Sequence, residues 1–322
     1  MSFAQKLIVW QRRHGRRTLP WQGTRDPYRI WLSEVMLQQT QVAAVIPYYE
    51  RFIQRFGTVE ALAAASEDEV LRLWAGLGYY ARGRNLHKAA REIHAHGFPR
   101  TAERIAELPG VGRSTAAAIA AFAFGERAAI LDGNVKRVLA RRFGTDADLW
   151  TLAERLLPDR GIETYTQALM DLGATVCTRT PKCEACPVRQ PCVARKTGRT
   201  AELPARKPKK VLPLRRTRWF VYLDRGKVLL ERRPSPGIWG GLWCFPERPL
   251  AKAATTRKLE AIEHGFTHFR LRIEPLLINA APKNGGFWLD LDEARAAAIP
   301  TPVKKLLQDL PRIATSRGGS RR

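Results

Sequence analysis

The segment 108–113, which reads Leu-Pro-Gly-Val-Gly-Arg, most constrains how this chain can fold. Its proline and two glycines interrupt two helical patterns, 101–107 and 114–124, so a tight turn must join the two helices. Gly110 and Gly112 leave backbone N–H groups open at the positive end of the second helix, where an anion is favoured. The segment therefore predicts a helical hairpin that can hold a phosphate without reading a base. An ordinary glycine-capped turn is the alternative.

An acidic residue follows the hairpin one short helix later. Asp132 directly precedes Gly133 and Asn134 at the start of a new helical pattern. A carboxylate held close to a bound polyanion is electrostatically unfavourable unless it takes part in chemistry. We therefore interpret Asp132 as a catalytic residue, with a plain helix N-cap as the alternative.

Glu34 supplies a second carboxyl group. It lies in the helical pattern 26–39, and nearly all of its neighbours in the run Ile-Trp-Leu-Ser-Glu-Val-Met-Leu are apolar. Apolar surroundings raise the pKa of a carboxyl group, which suits Glu34 to donate a proton near neutral pH. A solvated helical glutamate is the alternative.

Four segments resemble a known protein family. Residues 108–116 and 132–138 resemble the helix-hairpin-helix and aspartate of the endonuclease III superfamily of DNA glycosylases. Residues 31–42 (WLSEVMLQQTQV) and 76–85 (GLGYYARGRN) are similar to the MutY-type adenine glycosylases within that superfamily. The resemblance extends from about Trp10 into the C-terminal domain.

The resemblance implies a role for each carboxyl group. Glu34 would protonate the adenine ring, and Asp132 would stabilise the sugar cation or bond to it transiently. Two carboxyl groups with separated pKa values serve glycoside hydrolysis in this way. Asn134 would orient water or Asp132. The base must leave the duplex to reach these groups, so a pocket is required.

The resemblance also implies which residues contact DNA. Gln38, Gln39 and Tyr79 match positions beside the base opposite adenine, and Gln167 matches one that bonds the flipped adenine. Without the resemblance, the glutamines could be surface residues and Tyr79 a core residue. Ser114 stands where bifunctional relatives carry a lysine, so the enzyme would be monofunctional and use water. We also expect Ser114 to be a helix N-cap.

Four cysteines form the pattern C-x5-C-x2-C-x5-C: Cys177, Cys183, Cys186 and Cys192. In a reducing compartment such a cluster indicates a metal site rather than disulfides. The spacing alone does not distinguish a [4Fe–4S] cluster from zinc. The resemblance implies the [4Fe–4S] cluster, although the first gap is one residue shorter than the family usually has. Cys244 is expected to be a packed residue.

In the C-terminal third, patterns typical of strands replace the helical ones. Residues 237–246 resemble the MutT-like (Nudix) module of adenine glycosylases, but the acidic signature that holds magnesium is missing. The module should therefore bind rather than hydrolyse. Phe266, Thr267 and His268 resemble the Phe-Ser-His loop that reads 8-oxoguanine, and threonine keeps the serine hydroxyl.

These patterns predict a mainly α helix-hairpin-helix glycosylase domain with an iron–sulfur cluster loop, followed by a C-terminal α+β MutT-like (Nudix-like) domain. The expected boundaries are 1–195 for the helical domain, 196–217 for a basic proline-rich linker, 218–311 for the second domain and 312–322 for a basic tail. Within the second domain the patterns predict strands at 219–223, 228–231, 269–278 and 287–289, and helices at 251–262 and 303–310.

The charge balance indicates a polyanionic partner. Lys and Arg total 55 against 30 acidic residues, a formal net charge of +25. No apolar run is long enough to span a membrane, and no signal-peptide pattern is present, so we expect a cytoplasmic, nucleoid-associated protein.

The resemblance implies a monomeric, monofunctional glycosylase that removes adenine opposite 8-oxoguanine or guanine in double-stranded DNA. The alternatives are an endonuclease III-like enzyme acting on oxidised pyrimidines and a non-catalytic helix-hairpin-helix protein. A Nudix pyrophosphohydrolase is excluded by the missing acidic residues.

Overall fold

The structure, a computed structural model, describes residues 1–205, 211–251, 256–278, 281–282 and 286–315. Its contacts divide the chain into two compact units. The helical unit comprises Met1–Ala64 and Asn85–Pro208, and the sheet unit comprises Ala65–Arg84 and Lys209–Arg322. The sheet unit thus draws on two separate stretches of chain, which the sequence analysis did not predict. No helix among the described residues is both long and apolar enough to cross a membrane.

The helices form where the sequence supplies caps and apolar periodicity. Ser2 and Gln5 form a capping box at the first helix, and Asp26 caps the second ahead of a proline in its first turn. Up to residue 205 the described α-helices are α1 Phe3–His14, α2 Pro27–Leu37, α3 Val42–Arg55, α4 Val59–Ala64, α5 Glu67–Trp74, α6 Tyr80–His96, α7 Ala102–Ile105, α8 Arg113–Phe124, α9 Gly133–Phe143, α10 Leu149–Arg155, α11 Ile162–Asp171 and α12 Val193–Lys196.

The helical patterns predicted at 26–39, 101–107 and 114–124 are confirmed as α2, α7 and α8. Helix α11 ends at Asp171, and the chain continues as a π-helical turn, Leu172–Val176.

The predicted hairpin lies between α7 and α8. Gly110 has a φ of +79°, and a Cβ there would lie 2.8 Å from Asn85 Cβ, so only glycine fits. Helix α8 follows, and six of its alanines are buried. Such small side chains let α2 and α7 pack closely against α8. The hairpin is therefore anchored to the helix that carries Glu34.

The sheet unit is built on seven described strands. They are β1 Leu214–Asp224, β2 Lys227–Arg232, β3 Trp243–Cys244, β4 Thr256–Lys258, β5 Ile262–Gly265, β6 Arg270–Ile278 and β7 Phe287–Asp290. The order is β3-β2-β1-β6-β4, with β5 also paired to β6 and β7 to β2. Strands β1 and β6 are parallel, and the other pairs are antiparallel. Two helices follow, α13 Leu291–Ala296 and α14 Thr301–Thr315. The unit is therefore α+β, as predicted, and its sheet is mixed.

Three predicted elements of this unit need correction. The helix expected at 251–262 is wrong: residues 256–258 form β4, which pairs with β6, and β5 begins at Ile262. The linker expected at 196–217 overlaps strand β1 from Leu214, and its residues 206–210 lie outside the described residues. Of the expected tail, residues 312–315 belong to α14 because that helix continues past Leu310, and residues 316–322 lie outside the description.

Helix α5 belongs to the core of the sheet unit. Leu71 is fully buried in the same apolar cluster as Trp219 and Leu307. At its edge, Trp243 Nε1 donates a hydrogen bond to Asp68 at 2.9 Å. The segment 65–84 is thus held by tertiary contacts and not only by its place in the chain.

Candidate active site

Glu34 lies in the middle of helix α2, where burial on most sides leaves it few polar neighbours. Trp31, Leu32 and Met36 are fully buried, and Ser33 is 1% exposed. Glu34 itself is half-buried and faces a cavity of about 550 Å³. The predicted apolar surroundings of this carboxyl group are confirmed.

Asp132 caps helix α9. Its Oδ1 accepts a hydrogen bond from Val135 N–H at 2.8 Å, so the N-cap alternative considered from the sequence is also true. The position is at the positive end of the helix dipole, which favours a negative charge. A fixed carboxylate at this point can serve both as cap and as a source of negative potential.

The charge of Asp132 acts on the carboxyl group of Glu34. Burial, with the charge of Asp132 as the second cause, raises the pKa of Glu34 to about 8. At neutral pH Glu34 therefore carries a proton. The structure thus brings Glu34 within the electrostatic influence of Asp132, which is almost a hundred residues away in the sequence.

The cavity beside Glu34 is lined by polar groups and by aromatic side chains. Gln167 is one of its lining residues, as expected for a group that contacts a base. Trp21 and Phe122 supply apolar surface. Its four arginines make the lining cationic: Arg12, Arg16, Arg17 and Arg25. A volume of this size accommodates a small aromatic ligand such as a nucleobase.

Asn134 is fixed by an arginine that the sequence analysis did not single out. Arg137 Nη2 donates to Asn134 Oδ1 at 2.9 Å and to Gly173 O at 2.6 Å, and its Nε donates to Cys177 O at 2.6 Å. Gly173 lies so close to Asn134 that a Cβ would come within 2.6 Å of the Asn134 Cβ. The start of α9 is thus tied to the chain that enters the cysteine loop.

The hairpin presents its second glycine openly. Gly112 is the N-cap of α8, makes no side-chain cap and has open space around it. Gln38 Nε2 donates to the carbonyl of Gly110 at 3.2 Å, which ties the end of α2 to the turn. The first N–H groups of α8 therefore have no side-chain cap, as an anion-binding turn requires.

The expectation that Ser114 is the helix N-cap is wrong, because Gly112 holds that position. Instead Ser114 Oγ accepts a hydrogen bond from Leu131 N–H at 3.0 Å. Leu131 directly precedes Asp132. Ser114 therefore holds the chain that positions the aspartate.

Gln39 and Tyr79 share an unusual backbone conformation. Their φ angles are +55° and +50°, in the left-handed region that non-glycine residues rarely adopt. Gln39 is exposed in the helical unit. Tyr79 is 48% exposed in the sheet unit, so it is not a core residue. Backbone strain at exposed residues is typical of functional positions.

The four cysteines Cys177, Cys183, Cys186 and Cys192 line one small cavity and are half-buried. Arg141, which also lines it, places Nη1 3.6 Å from Cys177 Sγ. Within the described part of the chain, no group of three or more histidine, cysteine or acidic side chains is arranged to hold a metal ion. Cys244 is fully buried, as expected for a packed residue.

Phe266, Thr267 and His268 lie at the tip of the β5–β6 hairpin. Phe266 stacks on Phe269 at a centroid distance of 4.5 Å and also contacts Trp239 at 5.5 Å. Thr267 and His268 are exposed. An aromatic base thus supports two polar side chains that face solvent.

Comparison with known proteins identifies both parts of the chain. The HhH-GPD superfamily base excision DNA repair protein model matches residues 32–158, and the NUDIX domain model matches residues 218–309. A thermostable thymine-DNA glycosylase of known structure superimposes with a TM-score of 0.56 and 32% identity, covering 60% of this chain and 95% of that one. An endonuclease III–DNA complex, 22% identical with a TM-score of 0.52, shares the fold over 61% of this chain and 95% of its own.

A full-length relative decides the family. The adenine DNA glycosylase of Buchnera aphidicola subsp. Baizongia pistaciae is 36% identical, and the alignment covers 98% of each chain. This chain belongs to the adenine DNA glycosylase family. The predicted resemblance is confirmed, and so is the expected Nudix-like second domain.

One buried carboxyl group of this adenine DNA glycosylase family member was not predicted from its sequence. Asp171 is 1% exposed, and its Oδ1 accepts a hydrogen bond from Gln167 Nε2 at 3.0 Å. The spacing of four residues between them on α11 was a usable signal. The other donors to Asp171, from Gln11 and Arg16, come from the first 16 residues and leave no pattern in the sequence.

Proposed function

We propose that this chain is a monofunctional DNA glycosylase that hydrolyses the N-glycosidic bond of adenine mispaired with 8-oxoguanine or guanine in double-stranded DNA. The proposal depends on one observation: Glu34 is protonated at neutral pH, beside a cavity of nucleobase size and within the electrostatic influence of Asp132. The family membership supports adenine as the base.

Glu34 acts as the proton donor. An adenine turned out of the duplex enters the cavity, and Glu34 transfers its proton to a ring nitrogen. The C1′–N bond then breaks, and its electron pair leaves with the base. Because Glu34 is protonated up to about pH 8, the donor is ready without an external acid.

Asp132 stabilises the positive charge that develops on the sugar. Its carboxylate is held by Val135 N–H and does not need to reorganise when the charge appears. Water then adds to C1′ and gives its proton to the carboxylate of Glu34, which becomes neutral again. Asn134, fixed by Arg137, orients Asp132 or the water.

DNA is held mainly through its backbone. The open turn at Gly110 and Gly112 binds a phosphate, and the net charge of +25 favours any duplex. Gln38 positions the turn through its hydrogen bond to the carbonyl of Gly110. Gln39 and Tyr79 are each proposed to contact DNA beside the mispair, and Gln167 to contact the flipped adenine.

The proposal of a monofunctional enzyme depends on Ser114. A hydroxyl that accepts from Leu131 N–H offers no amine for a Schiff base with the sugar. Water remains the nucleophile, so strand scission would require a later treatment with alkali.

The loop at the tip of the β5–β6 hairpin is proposed to recognise the oxidised base opposite adenine. The C8 oxygen and N7–H of 8-oxoguanine are hydrogen-bonding groups that guanine lacks. The exposed hydroxyl of Thr267 and imidazole of His268 can pair with them, and Phe266 fixes the loop by stacking.

The cysteine loop is proposed to hold a [4Fe–4S] cluster through Cys177, Cys183, Cys186 and Cys192. All four thiols line one cavity, and the cationic side chains around it complement the negative charge of four thiolates. The bound cluster would supply a cross-link within the loop. Iron and sulfide analysis of protein purified without oxygen tests this, and stoichiometric zinc would contradict it.

A single assay tests the reaction itself. Duplexes that differ only in the target pair are incubated with the protein, and base release and strand scission are scored separately with and without alkali. We expect adenine release opposite 8-oxoguanine and guanine, with scission only after alkali. Release of oxidised pyrimidines instead would favour an endonuclease III-like activity. Binding without any release would indicate a non-catalytic module.

The remaining parts of the proposal concern the cellular setting. A cytoplasmic, nucleoid-associated monomer is consistent with the charge and with the DNA glycosylase relatives. Sedimentation of the free and DNA-bound protein would test the monomeric state.

A further inference from the structure

Asp171 collects hydrogen bonds from three residues of the cavity lining. Its Oδ2 accepts from Gln11 Nε2 and from Arg16 N–H, each at 2.9 Å. Its Oδ1 accepts from Gln167 Nε2 at 3.0 Å and from Arg16 Nε at 2.8 Å. Asp171 itself is not part of the lining, so it can act on a ligand only through these partners.

A carboxylate restricts how an amide can face it. Because an ionised carboxylate only accepts hydrogen bonds, Asp171 can pair with the NH2 group of a glutamine but not with its oxygen. Gln11 obeys this restriction at a cost: it is 6% exposed, and its Oε1 has no partner among the described residues. The carboxylate therefore decides which amide atom turns toward it.

The same restriction applies to Gln167, whose amide lies at the cavity. With Nε2 turned to Asp171, the carbonyl oxygen and one remaining N–H are the groups that Gln167 can offer a base. On its Watson–Crick edge adenine presents an N6 amine and an N1 acceptor, which match that pair. A 6-oxopurine such as hypoxanthine presents the reverse pattern on the same edge, an O6 acceptor and an N1–H donor. A rotated amide would pair with both of these groups, but Asp171 opposes the rotation.

We infer that Asp171 is a positioning residue that fixes the amide of Gln167 and thereby selects 6-aminopurines over 6-oxopurines. The inference rests on the proposed function, since it concerns the base in the same cavity. Removing the carboxylate frees the amide to rotate. The rate of hypoxanthine release should then approach the rate of adenine release.

The test compares single-turnover release of adenine and hypoxanthine, each opposite guanine in the same duplex. The ratio of the two rates within one preparation does not depend on the fraction of active protein. For the full-length chain we expect a ratio that favours adenine by at least about tenfold, as one bidentate contact allows. Asp171→Ala should lower the ratio by most of that factor. If Asp171→Ala gives no active protein, Asp171→Ser carries the same test, because a hydroxyl both donates and accepts.

A variant of Gln167 separates positioning from general damage. Gln167→Met is similar in size but has no amide to rotate, so adding Asp171→Ala in that background should not change the ratio. A fall of the ratio in both backgrounds, or an unchanged ratio in Asp171→Ala, would overturn the inference. Absence of adenine release by the unmodified chain would instead refute the proposed function.

Discussion

The helical unit and the sheet unit hold their candidate functional groups in opposite ways. Glu34 lies in a helix that is buried on most sides, and this burial raises its pKa to about 8. Thr267 and His268 stand exposed at a hairpin tip on an aromatic base. Proton transfer benefits from a desolvated group, whereas readout of a base needs groups that DNA can reach. Changes in the first region should therefore alter rates, and changes in the second should alter preferences.

The largest expected effect is on Asp132. Asp132→Asn should lower adenine release at least about 100-fold, because the charge that stabilises the sugar cation is lost. Duplex binding should persist, since the amide oxygen can still accept from Val135 N–H and keep the cap of α9. Single-turnover release and a binding titration measure both quantities.

Asp148 provides a matched control for Asp132. It caps α10 through Thr151 N–H at 3.3 Å, so Asp148→Asn makes the same chemical change at another helix start. We expect its release rate to remain near that of the unmodified chain. A loss of binding in step with rate in Asp132→Asn would mean that Asp132 has a structural role only.

Glu34 should give the rate its pH dependence. Because the protonated form is the donor, release should be level below about pH 8 and fall about tenfold per pH unit above it. Glu34→Gln should lower the rate about 100-fold and remove this decline. Glu50→Gln, an exposed change on α3, is the control. A profile that declines identically in Glu34→Gln would exclude Glu34 as the titrating group.

The same pKa predicts a change in stability. The pKa of Glu34 is about 8 in the folded chain against an ordinary value of 4.5, so folding favours its proton. The stability contributed by that proton is complete below about pH 4.5 and is lost as the pH rises toward 8. Glu34→Gln should therefore gain Tm relative to the unmodified chain between pH 5 and 8. A constant Tm difference across this range would contradict the raised pKa.

The sheet unit should affect preference instead. Thr267→Ala combined with His268→Ala should reduce the preference for 8-oxoguanine over guanine by about tenfold, as the loss of one or two hydrogen bonds allows. Adenine release opposite guanine should be unchanged. Thr256→Ala combined with Lys258→Ala, at exposed residues of β4, is a control of equal size. An unchanged preference would assign the discrimination to Gln39 and Tyr79.

The smallest expected effect concerns Ser114. Ser114→Ala removes the acceptor for Leu131 N–H and should slow release about fivefold, whereas Ser114→Thr keeps the hydroxyl and should not. Ser114→Lys places an amine at this position and should give an adduct that borohydride traps. A lysine variant that releases adenine without any trapped adduct would show that residue 114 does not face the sugar.

The sequence was informative where structure depends on local rules. Caps such as Ser2 and Asp26 predicted helix starts, and Gly110 predicted a turn that only glycine fits. Strands β4 and β5 were not predicted because each is only three or four residues long. Segments this short become strands only when they pair with β6. The role of Ser114 was not predicted because its partner Leu131 lies 17 residues away, beyond helix α8 and the loop that follows it.

The candidate site follows the same division. Glu34 could be interpreted from its neighbours, and Asp132 from the two residues that follow it. For Asp171 only the four-residue spacing to Gln167 was a signal, because its other partner Gln11 is 160 residues distant in the chain. A buried carboxylate becomes evident only when the donors that satisfy it are brought together by folding.

The position of helix α5 has a consequence for synthesis of the chain. Leu71 and its neighbours leave the ribosome long before Trp219 and Leu307, with which Leu71 is buried. The apolar face of α5 must therefore wait, uncovered, while more than a hundred residues are added. A chain released before residue 209 would keep that face exposed, and exposed apolar faces promote aggregation. A shortened protein that ends before the sheet unit therefore keeps α5 but lacks the residues that cover Leu71.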